Sequence, residues 1–572
     1  MRATLQRWAG GDGPQATTGA RRITDWVDEH ALARPDAVAF VHLVDGDERQ
    51  AQISYGEIAT RSRGFAQGLL ERDLVGRRVA ILLPPGLDYL VALLGCFYAG
   101  VAAVPILPAM RGAAFERLTT ILRACDAALA VLPPEVVRKY DRCLPGTQTE
   151  VVAVADLERD GGGVLPTVDP TSVAFLQYTS GSTDTPRGAV VRHDNVVANV
   201  RTMVFDGTGP CVSWLPPHHD MGLIGSLLLT FMRGESTVML SPLHFVQRPV
   251  RWLRAMTRFR GLGCPAPDFG YRLCVDKVSD ADLEGLDLAS WRFALSGAEP
   301  VLPSTIDAFC ARFGPVGFRR EAFVPCYGLA EATLMVSCAR AGDGPRALVV
   351  DAAALERRSV CEAGEGATKT LMSSGRVVAE TEVAIVPDDP DDDVGEIWVR
   401  GPGVVAGYFR DPARTAEVFD AVHPEHGGGF LRTGDLGFLS DGELYVTGRI
   451  KDTIVVRGRN LLPQDIETSA RRAAPALANC RVAAFVDDAD DADDEGLVVC
   501  MEAPTRTEVD QLQALTRSIA DRVAADERVR PRRVVFVARK SIPHTTSGKV
   551  RRAECRRRLQ AGELDVLVQW RA

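Results

Sequence analysis

Residues 89–110 run for twenty-two positions without a charge, long enough to cross a bilayer on length alone. Gly95, Gly100, Pro105 and Pro108 interrupt the stretch, and its second half reads GVAAVPI. A buried helix followed by a buried parallel strand accounts for this pattern, so the segment is expected inside an α/β protein and not across a membrane. Short Val/Ile/Leu runs at 79–84, 127–132, 173–177 and 237–240 repeat the alternation with helical segments up to about residue 440. Parallel and mixed sheets covered by helices are the predicted architecture.

After Gly395 the pattern changes to short strands and tight turns: EIWVRG, GFLSDGELYVTG and DTIVVRG. Asp441-Gly442 between two apolar runs signals a hairpin, and this stretch predicts a small β-barrel-like part. A compact α+β unit is expected next: helix 464–474, strands 481–486 and 496–502, helix 506–525 and strand 533–538. A chain of 572 residues exceeds what one hydrophobic core sustains. The expected division is a large N-terminal domain over 1–448, a hinge at 449–457, and a small mobile C-terminal domain over 458–572.

The formal charge of −9 is misleading, because the acidic turns 388–393 and 487–495 carry five and seven carboxylates and account for more than all of it. No basic arm invites nucleic acid. Thirteen scattered cysteines without a CxxC fit neither a disulfide framework nor a zinc knuckle, and predict a reducing cytoplasm. Residues 1–15 contain no apolar signal core.

Five blocks carry chemistry. Tyr178-Thr-Ser-Gly-Ser-Thr-Asp-Thr-Pro-Arg187-Gly188 follows an apolar run. Its glycine and hydroxyls suit a phosphate cradle, while a plain turn-rich surface loop is the other reading; no Walker A loop occurs. Trp214-Leu-Pro-Pro-His-His219-Asp220-Met-Gly222 pairs two histidines, which could serve acid–base work or simply pack. Leu295-Ser-Gly-Ala-Glu299 and Tyr327-Gly-Leu-Ala-Glu331-Ala-Thr333 set carboxylates beside glycine turns, where Mg²⁺ or a helix cap is possible. Leu431-Arg-Thr-Gly-Asp435 precedes Gly448-Arg449-Ile-Lys451-Asp452 and Arg457-Gly-Arg-Asn460-Leu-Leu-Pro463-Gln-Asp465-Ile-Glu467. Pro543-His-Thr-Thr-Ser-Gly-Lys549 ends the series with a lysine after a Ser-Gly turn.

In this order, the blocks resemble the adenylate-forming superfamily from about Ile23 to Leu559, and most closely its fatty acyl-AMP ligases. The resemblance implies that ATP and a fatty acid yield an acyl adenylate and pyrophosphate with Mg²⁺. The acyl group then passes to the phosphopantetheine thiol of a holo acyl carrier protein or synthase carrier domain. A fatty acyl-CoA synthetase and a non-catalytic acyl- or nucleotide-binding homologue are the alternatives. The family's phosphate loop falls on Thr179, Ser180, Gly181, Ser182 and Thr183, with Arg187 in place of the usual lysine. Asp184 replaces a glycine and adds a negative charge beside the phosphates.

The resemblance further implies that Gly297, Ala298 and Glu299, with Tyr327 and Gly328, border the nucleotide. Glu331 holds Mg²⁺ and Thr333 contacts the α-phosphate. Asp435 takes the ribose hydroxyls, with Arg449 beside it. Lys451 is the hinge and Lys549 the catalytic cation. His219 stands at the junction with an acyl pocket that also includes Asp220, Gly222, Ile224 and Phe269, and Asp220 is expected to orient it. An insertion of the family's type covers 338–371; its run ALVVDAAAL predicts packing against the N-terminal domain. Residues 528–558 carry twelve Lys/Arg against one Glu, a solvated face or a surface for an acidic carrier.

Overall fold

The structure, a computed structural model, describes residues 5–7, 21–144, 148–178, 186–203, 205–364, 366–456, 459–478, 480–487, 496–505, 507–544 and 550–572. The uncharged stretch is a helix and a strand. Helix Leu87–Ala99 is buried at every position from Tyr89 onward and stops at Gly100, whose φ of 67° is the left-handed cap that glycine adopts without strain. Strand Ala102–Pro105 follows, parallel to Arg78–Ile81 and to Val173–Tyr178. Together with Glu150–Ala153, Leu129–Leu132 and the antiparallel edge Gly188–Arg192 they form a six-stranded sheet. No helix among the described residues is long and apolar enough to cross a membrane.

A second sheet has nine strands. Its centre is parallel: Val38–Leu43, Thr237–Leu240, Cys211–Ser213, Gly263–Ala266, Phe293–Ser296 and Phe323–Gly328. Gln50–Ser54 closes one side antiparallel; Met335–Cys338 and Arg376–Val377 close the other. Helix Leu87–Ala99 and residues 223–232 share one apolar core with strands of both sheets.

An antiparallel sheet follows, built from Glu382–Val386, Gly395–Arg400, Gly427–Ser440 and Glu443–Arg449, with short edges Leu5–Arg7 and Ala421–His423. The Asp441-Gly442 hairpin is present, with φ of 50° and 76°, both positive as a two-residue turn of the right twist requires.

From Ile454 the chain builds a separate core around a four-stranded sheet, Val482–Asp487, Gly496–Glu502, Arg533–Val537 and Val566–Arg571. Helices Pro463–Arg472 and Val509–Glu527 cover one face, through Ile466, Leu512 and Ile519. Helix Arg552–Gln560 covers the other, through Cys555 and Leu559. The sequence reading lacks that last helix and the edge strand Val566–Arg571. The strand's register buries only Val568, so its apolar signal is faint.

Within 338–371, and one residue past it, strands Ala347–Asp351 and Thr368–Met372 pair as a ribbon. Val350 and Leu371 pack with Val394, Leu436, Phe438 and Tyr445 of the antiparallel part.

Candidate active site

Five segments leave the carboxyl ends of parallel strands, where open α/β sheets gather their ligand sites. They follow Ser213, Ala266, Ser296 and Gly328 in the large sheet and Tyr178 in the smaller one. Thr179, Ser180, Gly181, Ser182 and Thr183 lie outside the described residues, as do Asp184 and Lys549. Two glycines make the close approaches possible. A Cβ on Gly297 would meet the Cys326 carbonyl oxygen at 2.8 Å, and one on Gly328 would meet the Leu334 oxygen at 1.6 Å. Ala298 follows with φ of 65°, a left-handed conformation without glycine's freedom.

Two carboxylates are held by hydroxyl or cationic partners from distant segments. Glu331 Oε1 accepts from the Tyr408 hydroxyl at 2.8 Å. Burial raises the Glu331 carboxyl above its ordinary value, and the Tyr408 bond opposes this. Arg187 lies 5.9 Å from the Tyr408 ring centroid and 3.9 Å from Asp411, on the same wall. Asp435, 4 % exposed, accepts from the Tyr327 hydroxyl at 2.8 Å and from Arg449 Nε at 2.6 Å. Asp435 in turn raises the Arg449 guanidinium above its ordinary value. Thr433 Oγ1 accepts from the Asp435 amide at 3.1 Å and fixes the turn.

Among the described residues no three His, Cys, Asp or Glu side chains gather as a metal site. A single half-buried carboxylate, Glu331, fits Mg²⁺, which takes one or two carboxylates and fills its remaining positions with phosphate oxygens and water.

The WLPPHHDMG segment is anchored at its centre. Tyr89 donates to the Pro217 oxygen at 2.6 Å, and Gln177 Nε2 to the His218 oxygen at 2.9 Å. The second bond ties the segment to strand Val173–Tyr178. The His218 and His219 rings lie 4.9 Å apart, and burial holds His218 well below the ordinary imidazole value, with His219 and Arg117 adding to it. Asp220 Oδ1 accepts from the Met221 amide at 2.7 Å, which starts the short helix Asp220–Gly222. A Cβ on Gly222 would stand 2.3 Å from the Pro216 oxygen. The helix continues as a π-helical stretch, Leu223–Leu228, that buries Ile224. Phe269 packs edge-on against Trp214 at 5.6 Å. Its amide donates to Glu299 Oε1 at 2.5 Å, joining the SGAE turn to the start of helix Asp268–Lys277. Asp268 turns the other way, accepting from the Leu302 amide and from Thr305 Oγ1, and burial pushes its carboxyl up to about 7.

Thr333 is fully buried, and its hydroxyl donates to the Gly403 oxygen at 2.6 Å. The basic run 528–558 is extensively paired. Arg557 bridges Glu554 and Glu563, Arg558 bonds Glu554, Arg552 bonds Glu467, and Arg530 bonds Asp521. Residues the sequence did not single out bond to these segments: Tyr408, Gln177 and Thr433 directly, and Asn195 and Asn199 through backbone atoms behind them. Lys451 is exposed in the turn Ile450–Asp452, where the two cores meet. The insertion also reaches the C-terminal unit: Arg459 bonds both oxygens of Glu356 at 2.8 and 2.7 Å, Asn460 Nδ2 donates to the Glu356 carbonyl oxygen at 3.1 Å, and Lys369 pairs with Asp465.

Residues 27–409 match the family described as AMP-binding enzyme. The chain is 38 % identical to the 4-hydroxyphenylalkanoate adenylyltransferase of Mycobacterium marinum, over 94 % of this chain and 91 % of that one. It is 34 % identical to the medium-chain-fatty-acid–[acyl-carrier-protein] ligase JamA of Moorena producens, over 93 % and 94 %. The fatty acyl-adenylate ligase of Legionella pneumophila, solved with acyl adenylate and pyrophosphate, superposes with a TM-score of 0.74 at 34 % identity, covering 96 % of this chain and 98 % of that one. A site assembled at the strand ends from these blocks, and likeness over nearly the whole length, lead to one conclusion: the chain belongs to the AMP-binding enzymes, and among them to the fatty acyl-AMP ligases.

Proposed function

We propose that the protein activates a fatty acid with ATP and hands the acyl group to the phosphopantetheine thiol of an acyl carrier protein, working in the cytoplasm. The observation that carries the reading is the Tyr327–Asp435–Arg449 cluster facing the same strand ends as Glu331 and His219. Asp435 offers carboxylate oxygens to the ribose hydroxyls, with Arg449 bonded beside it. Gly297, Ala298 and Glu299 shape the adenine side, and Tyr327 and Gly328 the wall beside it. Thr179 to Thr183 and Arg187 hold the phosphates, and Glu331 holds Mg²⁺ among them. When bound, Mg²⁺ supplies positive charge against the phosphate oxygens.

The fatty acid carboxylate attacks the α-phosphorus, the bond to the bridging β-oxygen breaks, and pyrophosphate leaves. Lys549 neutralises charge that develops in that step. The domain over 458–572 then turns about Lys451 and withdraws Lys549. The thiol, giving up its proton, attacks the acyl carbonyl and releases AMP. Asp220, Gly222, Ile224 and Phe269 border the acyl chain, and His219 stands where the chain meets the nucleotide.

ATP–pyrophosphate exchange across a ladder of fatty acids tests the reading. Exchange that depends on the acid, and that falls by about a hundredfold or more in Lys549→Ala, is expected. Exchange with no acid, or a Lys549→Ala variant within a few-fold of wild type, contradicts it.

A further inference from the structure

Between Glu331 and the acyl pocket the backbone turns at Thr333 with φ 67° and ψ −62°. The Leu334 amide donates to the Ala332 oxygen at 2.8 Å across that residue. These dihedrals and this bond define a three-residue γ-turn of the left-handed kind, the rare and strained form of the two. A β-branched residue at positive φ is an outlier, and such conformations persist only where the surroundings over-determine them.

The surroundings do so here. Asn199 of helix His193–Thr202 is 3 % exposed and spends its whole amide on this turn. Its Nδ2 donates to the Met335 oxygen at 2.8 Å and to the Ala332 oxygen at 3.4 Å, and its Oδ1 accepts from the Met335 amide at 3.0 Å. The Ala332 carbonyl is thus shared between the γ-turn and Asn199. One helical turn earlier, Asn195 Nδ2 donates to the Pro402 and Val404 oxygens at 2.9 and 3.3 Å. That second loop returns two bonds to the turn: the Gly403 oxygen accepts from Thr333, and the Val405 amide donates to the Glu331 oxygen at 3.0 Å. On the far side, Leu334 lies against Gly225 of the π-helical stretch, where a Cβ would meet it at 3.2 Å. One strained turn therefore sets both the Glu331 carboxylate and a side chain at the acyl pocket.

We propose that Asn199 is a positioning residue for adenylate formation, which holds the Thr333 γ-turn in its strained state and so places Glu331 for the metal-bound nucleotide. Asn199 itself touches neither. The proposal rests on the function given above. It requires that loss of the amide relaxes the turn, misplaces Glu331 and harms the half-reaction that uses Mg²⁺·ATP, while the half-reaction that starts from finished acyl adenylate is affected less.

The test compares wild type with Asn199→Leu, which keeps the branched four-heavy-atom outline, at some gain in volume, and removes the hydrogen bonds. A second variant, Gly403→Ala, pushes on the same contact from the other side: its Cβ would stand 3.0 Å from Asn199 Nδ2 and 3.4 Å from the Ala332 oxygen. Pyrophosphate exchange is measured against Mg²⁺ concentration, ATP binding against Mg²⁺ by calorimetry without fatty acid, and transfer to holo carrier protein from supplied dodecanoyl adenylate. For Asn199→Leu, exchange is expected to fall about tenfold or more and the Mg²⁺ midpoint to rise about threefold, with calorimetric binding weakened in parallel. Transfer is expected to stay within about twofold, and Gly403→Ala to move the same quantities in the same direction by less. An unchanged Mg²⁺ midpoint, or exchange and transfer falling by one common factor, overturns the proposal in whichever variant folds. A wild-type protein that binds Mg²⁺·ATP but exchanges pyrophosphate with no fatty acid overturns the functional reading instead, and the calorimetric midpoints still decide the placement of Glu331.

Discussion

At Asp435 a nearly buried carboxylate accepts from Tyr327 on one oxygen and from Arg449 on the other. Removing its charge leaves both partners in place and deletes the group offered to the ribose. Charge-assisted hydrogen bonds contribute about 1.5–3 kcal/mol, so Asp435→Asn should raise the KM for ATP about ten- to a hundredfold and leave the KM for the fatty acid nearly unchanged. Exchange kinetics with each substrate varied in turn check this; an unchanged KM for ATP removes Asp435 from the nucleotide site. The block LRTGD was visible in the sequence, but a ribose role for Asp435 was implied only by the family resemblance. Its partner Tyr327 lies 108 residues away and was legible only as part of another block. Asn199 was not legible at all, since its role consists of bonds to backbone atoms that no residue pattern records.

The ribbon Ala347–Asp351 with Thr368–Met372 shows the same division one scale up. Its apolar run announced burial, and Val350 and Leu371 are buried against the antiparallel sheet. What the run could not announce is Glu356 at its outer end, bonded through both oxygens to Arg459 of the C-terminal unit. Charge pairs between segments a hundred residues apart leave no trace in local periodicity. The basic run 528–558 shows the opposite limit, because a count of charges takes no account of the carboxylates that folding brings alongside several of its arginines. If the C-terminal unit must rotate before transfer, the Glu356 contacts restrain it. Glu356→Ala should then increase thioester formation with free coenzyme A by about three- to tenfold while pyrophosphate exchange stays within about twofold, as expected for loss of a part-buried bidentate pair. Acyl-CoA formation that stays at the wild-type level in a folded variant would remove the latch from the account.

Across the whole molecule the α/β architecture was the most legible level. Uncharged runs of strand length force parallel strands into an interior covered by helices, and the sites then fall at the strand ends by geometry. The C-terminal unit was legible as a separate core but not in its last helix and strand, where helix Arg552–Gln560 is strongly polar and strand Val566–Arg571 lies at an edge. The central claim concerns how the two proposed bodies cooperate: the acyl adenylate is made with Lys549 of the small one in place, and the small one then turns to admit a thiol borne on a protein. The most direct measurement is ATP-dependent thioester formation by one enzyme preparation, offered holo acyl carrier protein or free coenzyme A, across a ladder of fatty acid lengths. The account predicts acyl-carrier thioester at every length that supports pyrophosphate exchange, with coenzyme A at least about tenfold poorer as acceptor. Equal or faster acylation of coenzyme A at those lengths would contradict it.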